Sequence, residues 1–316
     1  SLIYCHFISM ILIKHIVMIE ALKPVRRVVS TPSKKDKVIC YLGVDAAVQK
    51  ATLRGNVTFQ EDCEEASIFR VAQPNGHYQM RLELELHFGE QTSFSGIFYQ
   101  TPFFSLHVEN SVINLTIHGA KDFVLFGQEY QNLTVFNSQI QVQGRNLASF
   151  SGCAKAVLVS FENTVFVARL AGQGPIFVLA DLANVVTLTS VKLDVVVETE
   201  GAGSLVGTIA QQMKIMTSLV QVNVTAFNGA GLTQKALNSV ITIQESYLEI
   251  WVDSSTAGAL IVRELSLSEV IVARHTKIFG GFLKAHSGNR LGALKAQNGN
   301  FRMSGGEFMD ENVDVL

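Results

Sequence analysis

The chain is poor in the residues that break or staple a fold. Among 316 residues there are five prolines, one tryptophan and four cysteines, and only 16% are charged. The few prolines and the β-rich vocabulary of Val, Ile, Thr and Phe argue against disorder. The cysteines stand at 5, 40, 63 and 153, with no C-x-x-C spacing, which excludes the common zinc and redox motifs. A Cys40–Cys63 bridge is one reading of them, and free buried thiols are the preferred one. A formal net charge of -2 supplies no field to draw in nucleic acid. There is no G-x-G-x-x-G or Walker sequence, and the eight histidines form no legible catalytic arrangement.

What is abundant is apolar. Hydrophobic residues make up 48% of the chain, and mean hydropathy is +0.27. With so few charges, either a segment enters a membrane or much of the chain faces a core. Residues 2–22, LIYCHFISMILIKHIVMIEAL, are long enough to span a bilayer but are interrupted by Lys14, His15 and Glu20. This segment reads as a membrane anchor, a signal, or a non-native leader ahead of Met18. The basic linker 23–38 follows; it lacks interleaved aromatics, so nucleic acid is not an expected partner. Because the chain starts at Ser1 rather than Met, it reads as a fragment or a processed product.

Residues 39–108 read as an N-terminal β region or cap. Its clearest strand is Arg81 to Phe88. Leu82, Leu84, Leu86 and Phe88 occupy one face, and Arg81, Glu83, Glu85 and His87 the other. Alternate residues on a strand are about 6.7 Å apart. Glu83, Glu85 and His87 therefore do not all reach one ion, and they read as a solvated face. The acids Glu61, Asp62, Glu64 and Glu65 around Cys63 read as an exposed loop.

From residue 109 to 316 a repeat emerges. Alternating apolar residues start at Ile113, Ile140, Val165, Leu193, Val220, Leu248 and Thr276, a period of about 27 residues. A second row runs through Val135, Val159, Leu188, Ile215, Ile243 and Ile271. A third runs through Phe123, Leu147, Ile176, Leu205, Leu232 and Leu260. Small residues (GAGSL, GAGL, AGAL) separate the first row from the third, and polar punctuation (FNS, FEN, LTS, MTS, QES) separates the second from the first. A strand offers one apolar face, and no single coil of three short strands buries it alone. Stacking coils at about 4.8 Å puts like rows over like rows and closes the backbone hydrogen bonds. The expected fold is all-β: a parallel β-helix solenoid of about seven coils, three strands each. An all-β sandwich or a series of hairpins is the alternative; hairpins need tight two-residue turns, and Asn228-Gly229 is such a dipeptide where most repeats lack one.

This spacing resembles that of the right-handed parallel β-helix superfamily, which includes pectate lyases and polygalacturonases. GAGSLVG (Gly201 to Gly207) is similar to the repeats of adhesin-like surface proteins. The resemblance covers about residues 109–285. It implies either a surface repeat protein or a polysaccharide lyase or hydrolase. The Asn-Thr-Asp, Asp-Asp, Gly-His-Gly and Arg-Ile-Lys elements typical of inverting hydrolases of this fold are missing. Asp194 and Glu249 are expected to point outward, two coils and about 10 Å apart. No catalytic residues, cofactor or metal are therefore expected. The expected function is a non-catalytic surface or secreted module, with Tyr247 and Trp251 exposed to contact a carbohydrate or protein. Sequons at Asn56, Asn114, Asn132 and Asn223 are glycan acceptors if the chain is secreted.

Overall fold

In the computed structural model, the described residues are 17–19, 25–30, 36–45, 50–59, 63–70, 75–89, 91–99, 104–255, 258–273, 275–282, 294–297, 300–303 and 307–310. They form strands and no helix, and the strands wind into a parallel β-solenoid of about eight turns. Most of the expected membrane-anchor segment 2–22 lies outside the described residues; its residues 17–19 form a strand parallel to Ala51–Leu53. Among the described residues no helix is long and apolar enough to cross a membrane.

Three parallel sheets run the length of the solenoid. The first stacks Lys50–Thr58, 79–87, Val112–Ala120, Gln139–Leu147, Val165–Gly172, 192–199, Leu219–Gly229, Tyr247–Ser254 and Lys277–Phe282. The second contains 123–127, 150–153, 176–180, 203–209, Thr233–Leu237 and Val262–Ser266. The third contains Phe104–Glu109, 130–136, 155–162, 182–189, 212–216, Val240–Gln244 and Glu269–Val272. The stacking continues through the described residues between 50 and 108, where Leu82 pairs with Leu53 and with Ile113. Among the described residues the one antiparallel pairing joins Val25–Ser30 to Asp36–Asp45.

Alternation puts every second side chain inside. The first inward column runs Ile113, Ile140, Phe166, Leu193, Val220, Leu248, Ile278, and all are buried. Three expected members are displaced. Val165 and Val167 face outward, with Val165 37% exposed, and Thr276 sits in a corner. In Val165-Phe-Val-Ala168 both faces are apolar, so the pattern had no contrast to fix its phase. The same holds for Ile271, which pairs with Thr242 while Val272 joins the Ile215 and Ile243 column. Phe150, not Leu147, continues the column from Phe123.

The polar punctuation marks the corners. Asn137, Asn163, Ser190, Thr217 and Glu245 each adopt φ between 46° and 54°, the left-handed conformation that reverses the chain between the third and first sheets. Asparagine tolerates it better than other non-glycine residues. A buried hydroxyl usually comes next. Ser138 Oγ donates to the Phe136 carbonyl at 2.8 Å and accepts from the Ser111 N–H at 3.1 Å. Ser218 and Ser246 repeat this role toward Val191 and Ser218. Corner N–H groups that the ladder cannot reach are thereby paired. Small residues at the next corner have a steric cause: a Cβ on Gly231 would lie 2.1 Å from the Leu260 carbonyl oxygen.

Thr217 is a β-branched residue in this left-handed conformation, at φ 49°. Its strain is of order 1–2 kcal/mol. Thr217→Asn is expected to raise stability by about 1 kcal/mol, measured by urea denaturation. A loss of stability would show that the corner is not left-handed.

Candidate functional site

Because the coils stack in register, outward side chains also form columns. On the first sheet one column runs Arg54, Glu83, Asn114, Gln141, Val167, Asp194, Gln221, Glu249, Phe279. The next runs Asn56, Glu85, Thr116, Gln143, Arg169, Val196, Asn223, Trp251, and a third carries Thr58, His87, His118, Arg145. The face is flat, polar and ordered by the backbone beneath it.

Its acids are held locally. Asp194 Oδ2 accepts from Arg169 Nη2 at 2.6 Å, while Arg169 also donates to the Asp194 carbonyl. Glu249 accepts from Gln221 at 2.9 Å and from the Trp251 indole N–H at 3.2 Å. Asp194 and Glu249 share a column with Gln221 between them, two strands apart. Glu83 accepts from Arg81 and Arg54, both at 3.0 Å. The Arg81 hydrogen bond is the main reason its carboxyl sits below the ordinary glutamate range.

Beside Glu83 a shallow groove is lined by Gly55, Asn56, Glu85, Asn114, Thr116, Gln141 and Gln143. Gly55, at φ +135°, leaves it open, and the buried Asn114 Oδ1 has no hydrogen-bond partner among the described residues. At its edge, Glu85 Oε1 lies 3.0 Å from His118 Nε2 and 3.3 Å from His87 Nε2. The two imidazoles stack across adjacent coils, with centroids 4.5 Å apart and planes 8° apart. The sequence reading held Glu83, Glu85 and His87 apart along one strand. It missed His118, which the neighbouring coil supplies.

Tyr247 and Trp251 lie on the outward side of one strand; Tyr247 is 39% exposed. Trp251 is half-buried, with its ring edge-on to Phe279 at 5.4 Å. Of the sequons, Asn56 is exposed, whereas Asn114, Asn132 and Asn223 are half-buried. Asn132 Nδ2 faces Ser105 Oγ at 3.5 Å.

A second cleft lies on the second sheet, lined by Glu64, Glu65, Lys121, Asp122 and Asp181 among others. Glu61 and Asp62 of the expected acidic loop are outside the described residues, Glu64 is exposed, and Glu65 is a strand residue. Asp122 accepts from Ser149 at 2.8 Å and Ser93 at 3.2 Å. Beneath the cleft, burial and then the Asp181 charge push the Cys153 thiol up to about 12. It is a free, buried and inert thiol at neutral pH. Cys40 and Cys63, by contrast, form a disulfide with Cα atoms 6.0 Å apart, correcting the expectation of free thiols. They sit on neighbouring coils, a proximity that a sequence separation of 23 does not by itself reveal.

No family model matches the chain, and no curated protein or solved structure does. The solenoid assignment therefore stands on coil register alone.

Partial burial raises the Asp181 carboxyl above its usual range. A carboxyl raised by folding adds stability below its unfolded value and loses it as pH rises through the folded one. Asp181→Asn is therefore expected to raise the Tm at about pH 7 and to leave it unchanged near pH 3, where the wild-type group is itself protonated. Thermal scans of both proteins at the two pH values check this. Equal shifts at both would assign the effect to packing.

Proposed function

We propose that the chain is a non-catalytic repeat module, exposed at a cell surface or secreted, that presents the flat first sheet to a carbohydrate or protein ligand. The supporting observation is the pairing of Asp194 with Arg169 and of Glu249 with Gln221 and Trp251, which leaves these acids dispersed rather than converging on one bond. The Cys40–Cys63 disulfide favours an oxidising compartment, hence secretion or surface display. In that setting the exposed Asn56 is the most accessible glycan acceptor, ahead of Asn114, Asn132 and Asn223. Tyr247 and Trp251 are the ligand contacts of this reading, and the part of residues 2–22 ahead of the strand at 17–19 would supply any membrane tether. The adhesin-like resemblance of GAGSLVG agrees with it.

A glycan array probed with the purified chain tests the reading. A retained glycan, bound about tenfold or more weakly by Trp251→Ala, is the expected result. Turnover of an acidic polysaccharide would overturn it.

The second reading, a polysaccharide lyase or glycoside hydrolase, is favoured by one observation. The second-sheet cleft gathers Glu65, Lys121, Asp122 and Asp181, and one of these acids titrates high. Turnover lost in both Asp122→Asn and Asp181→Asn would establish it.

A further inference from the structure

We propose that Glu85, His87 and His118 form a binding site for a divalent transition-metal ion of the zinc class. Two imidazoles and one carboxylate are a donor set that such ions take, with water completing the shell. The three ligand atoms lie within 4.8 Å of one another. Ligands about 2.1 Å from a tetrahedral ion are about 3.4 Å apart. The two Glu85–histidine separations, 3.0 and 3.3 Å, are close to that.

The fold supplies the preorganisation. His87 and His118 are paired in register on adjacent strands of the first sheet, so their stacking is set by the spacing of the coils. Glu85 stands two residues before His87 on the same outward face. The one remaining adjustment is a tilt of two half-exposed rings, which leaves an open route for the ion and its waters. In the column, Thr58 precedes His87 and Arg145 follows His118.

The protein contains its own control. His77 and His107 stack in the third sheet with the same geometry, 4.5 Å and 7°. Among the described residues no third ligand completes a group there. If stacked imidazoles sufficed, both places would bind; if the carboxylate is needed, one does.

The experiment is a calorimetric Zn²⁺ titration of the full chain made without a histidine tag, with a parallel Co²⁺ titration read in the visible spectrum. One equivalent is expected to bind. Changes outside the ligand shell already weaken metal affinity by about 10–100-fold, so Glu85→Gln and His118→Asn should each weaken it by roughly 100-fold or more. The double variant His77→Ala/His107→Ala should bind as the wild type does. Zn²⁺ should raise the wild-type Tm and leave that of Glu85→Gln unmoved. Circular dichroism checks that each variant keeps its strand signal. Absence of binding by the wild type overturns the proposal whatever the variants do. So does binding retained in His118→Asn, or lost equally in the His77→Ala/His107→Ala control.

Discussion

Phe123→Ala is expected to destabilise the solenoid by about 3–5 kcal/mol, at the upper end for a core truncation. Phe123 is fully buried and lies between two other rings. Phe94 stacks on one side at 4.5 Å and Phe150 on the other at 5.5 Å, while Phe88 meets its edge at 6.0 Å. Removing the middle ring opens a void between coils. The coils cannot close it, because the backbone ladders of all three sheets hold them at their spacing. The lost transfer energy and the cavity term therefore both persist. Phe123→Leu, which keeps most of the volume, should cost markedly less. Because a repeat array need not unfold in one step, hydrogen exchange should accompany denaturation. The loss of protection is expected to centre on the strands carrying Phe94, Phe123 and Phe150. A cost below about 1 kcal/mol, ordinary for a surface site, would refute the ring stack.

Removing the Cys40–Cys63 disulfide is expected to cost about 3 kcal/mol. The bridge closes a loop with a sequence separation of 23, and both sulfurs are buried. Most of the effect comes from restricting the unfolded chain. Its reach should be local. In a solenoid each coil touches only its neighbours, and Cys40 and Cys63 belong to the N-terminal coils. The double variant Cys40→Ala/Cys63→Ala should therefore lose protection in Asp36–Asp45, Lys50–Thr58 and Glu65–Arg70. The strands from 139 to 254 should keep theirs. Dithiothreitol should reproduce the change in the wild type and leave the double variant unaffected. Uniform loss along the chain would mean that the coils unfold together.

How far the fold could be read from the sequence depended on contrast between faces. At Leu193, Val220 and Leu248 polar and apolar residues alternate, and the phase was legible. At Val165-Phe166-Val167-Ala168 and Val270-Ile271-Val272 both faces are apolar, and the phase slipped by one residue. The corner signals were visible as polar triplets, but their cause was not. The left-handed residue and the hydroxyl facing the adjacent coil are properties of the turn in three dimensions. The outward direction of Asp194 and Glu249 followed from alternation alone.

The metal site failed to appear for a related reason. His87 lies five residues after Leu82, and His118 five residues after Ile113, so the two were already in phase. Seeing them as neighbours required counting residues 79–87 as a coil of the same repeat. The interval from Leu82 to Ile113 is 31 residues, longer than the period of about 27, and it hid that membership.

The one-dimensional pattern was sufficient to specify that the chain forms strands, that they recur, and which faces turn from water, because alternation and burial are local in origin. Which side chains meet across coils was settled by the stacking itself. Register between strands is set by the whole corner and column arrangement, and a single insertion in a turn changes every partner above it. The Cys40–Cys63 bond, the Phe94–Phe123–Phe150 stack and the Glu85–His87–His118 cluster all belong to that second class.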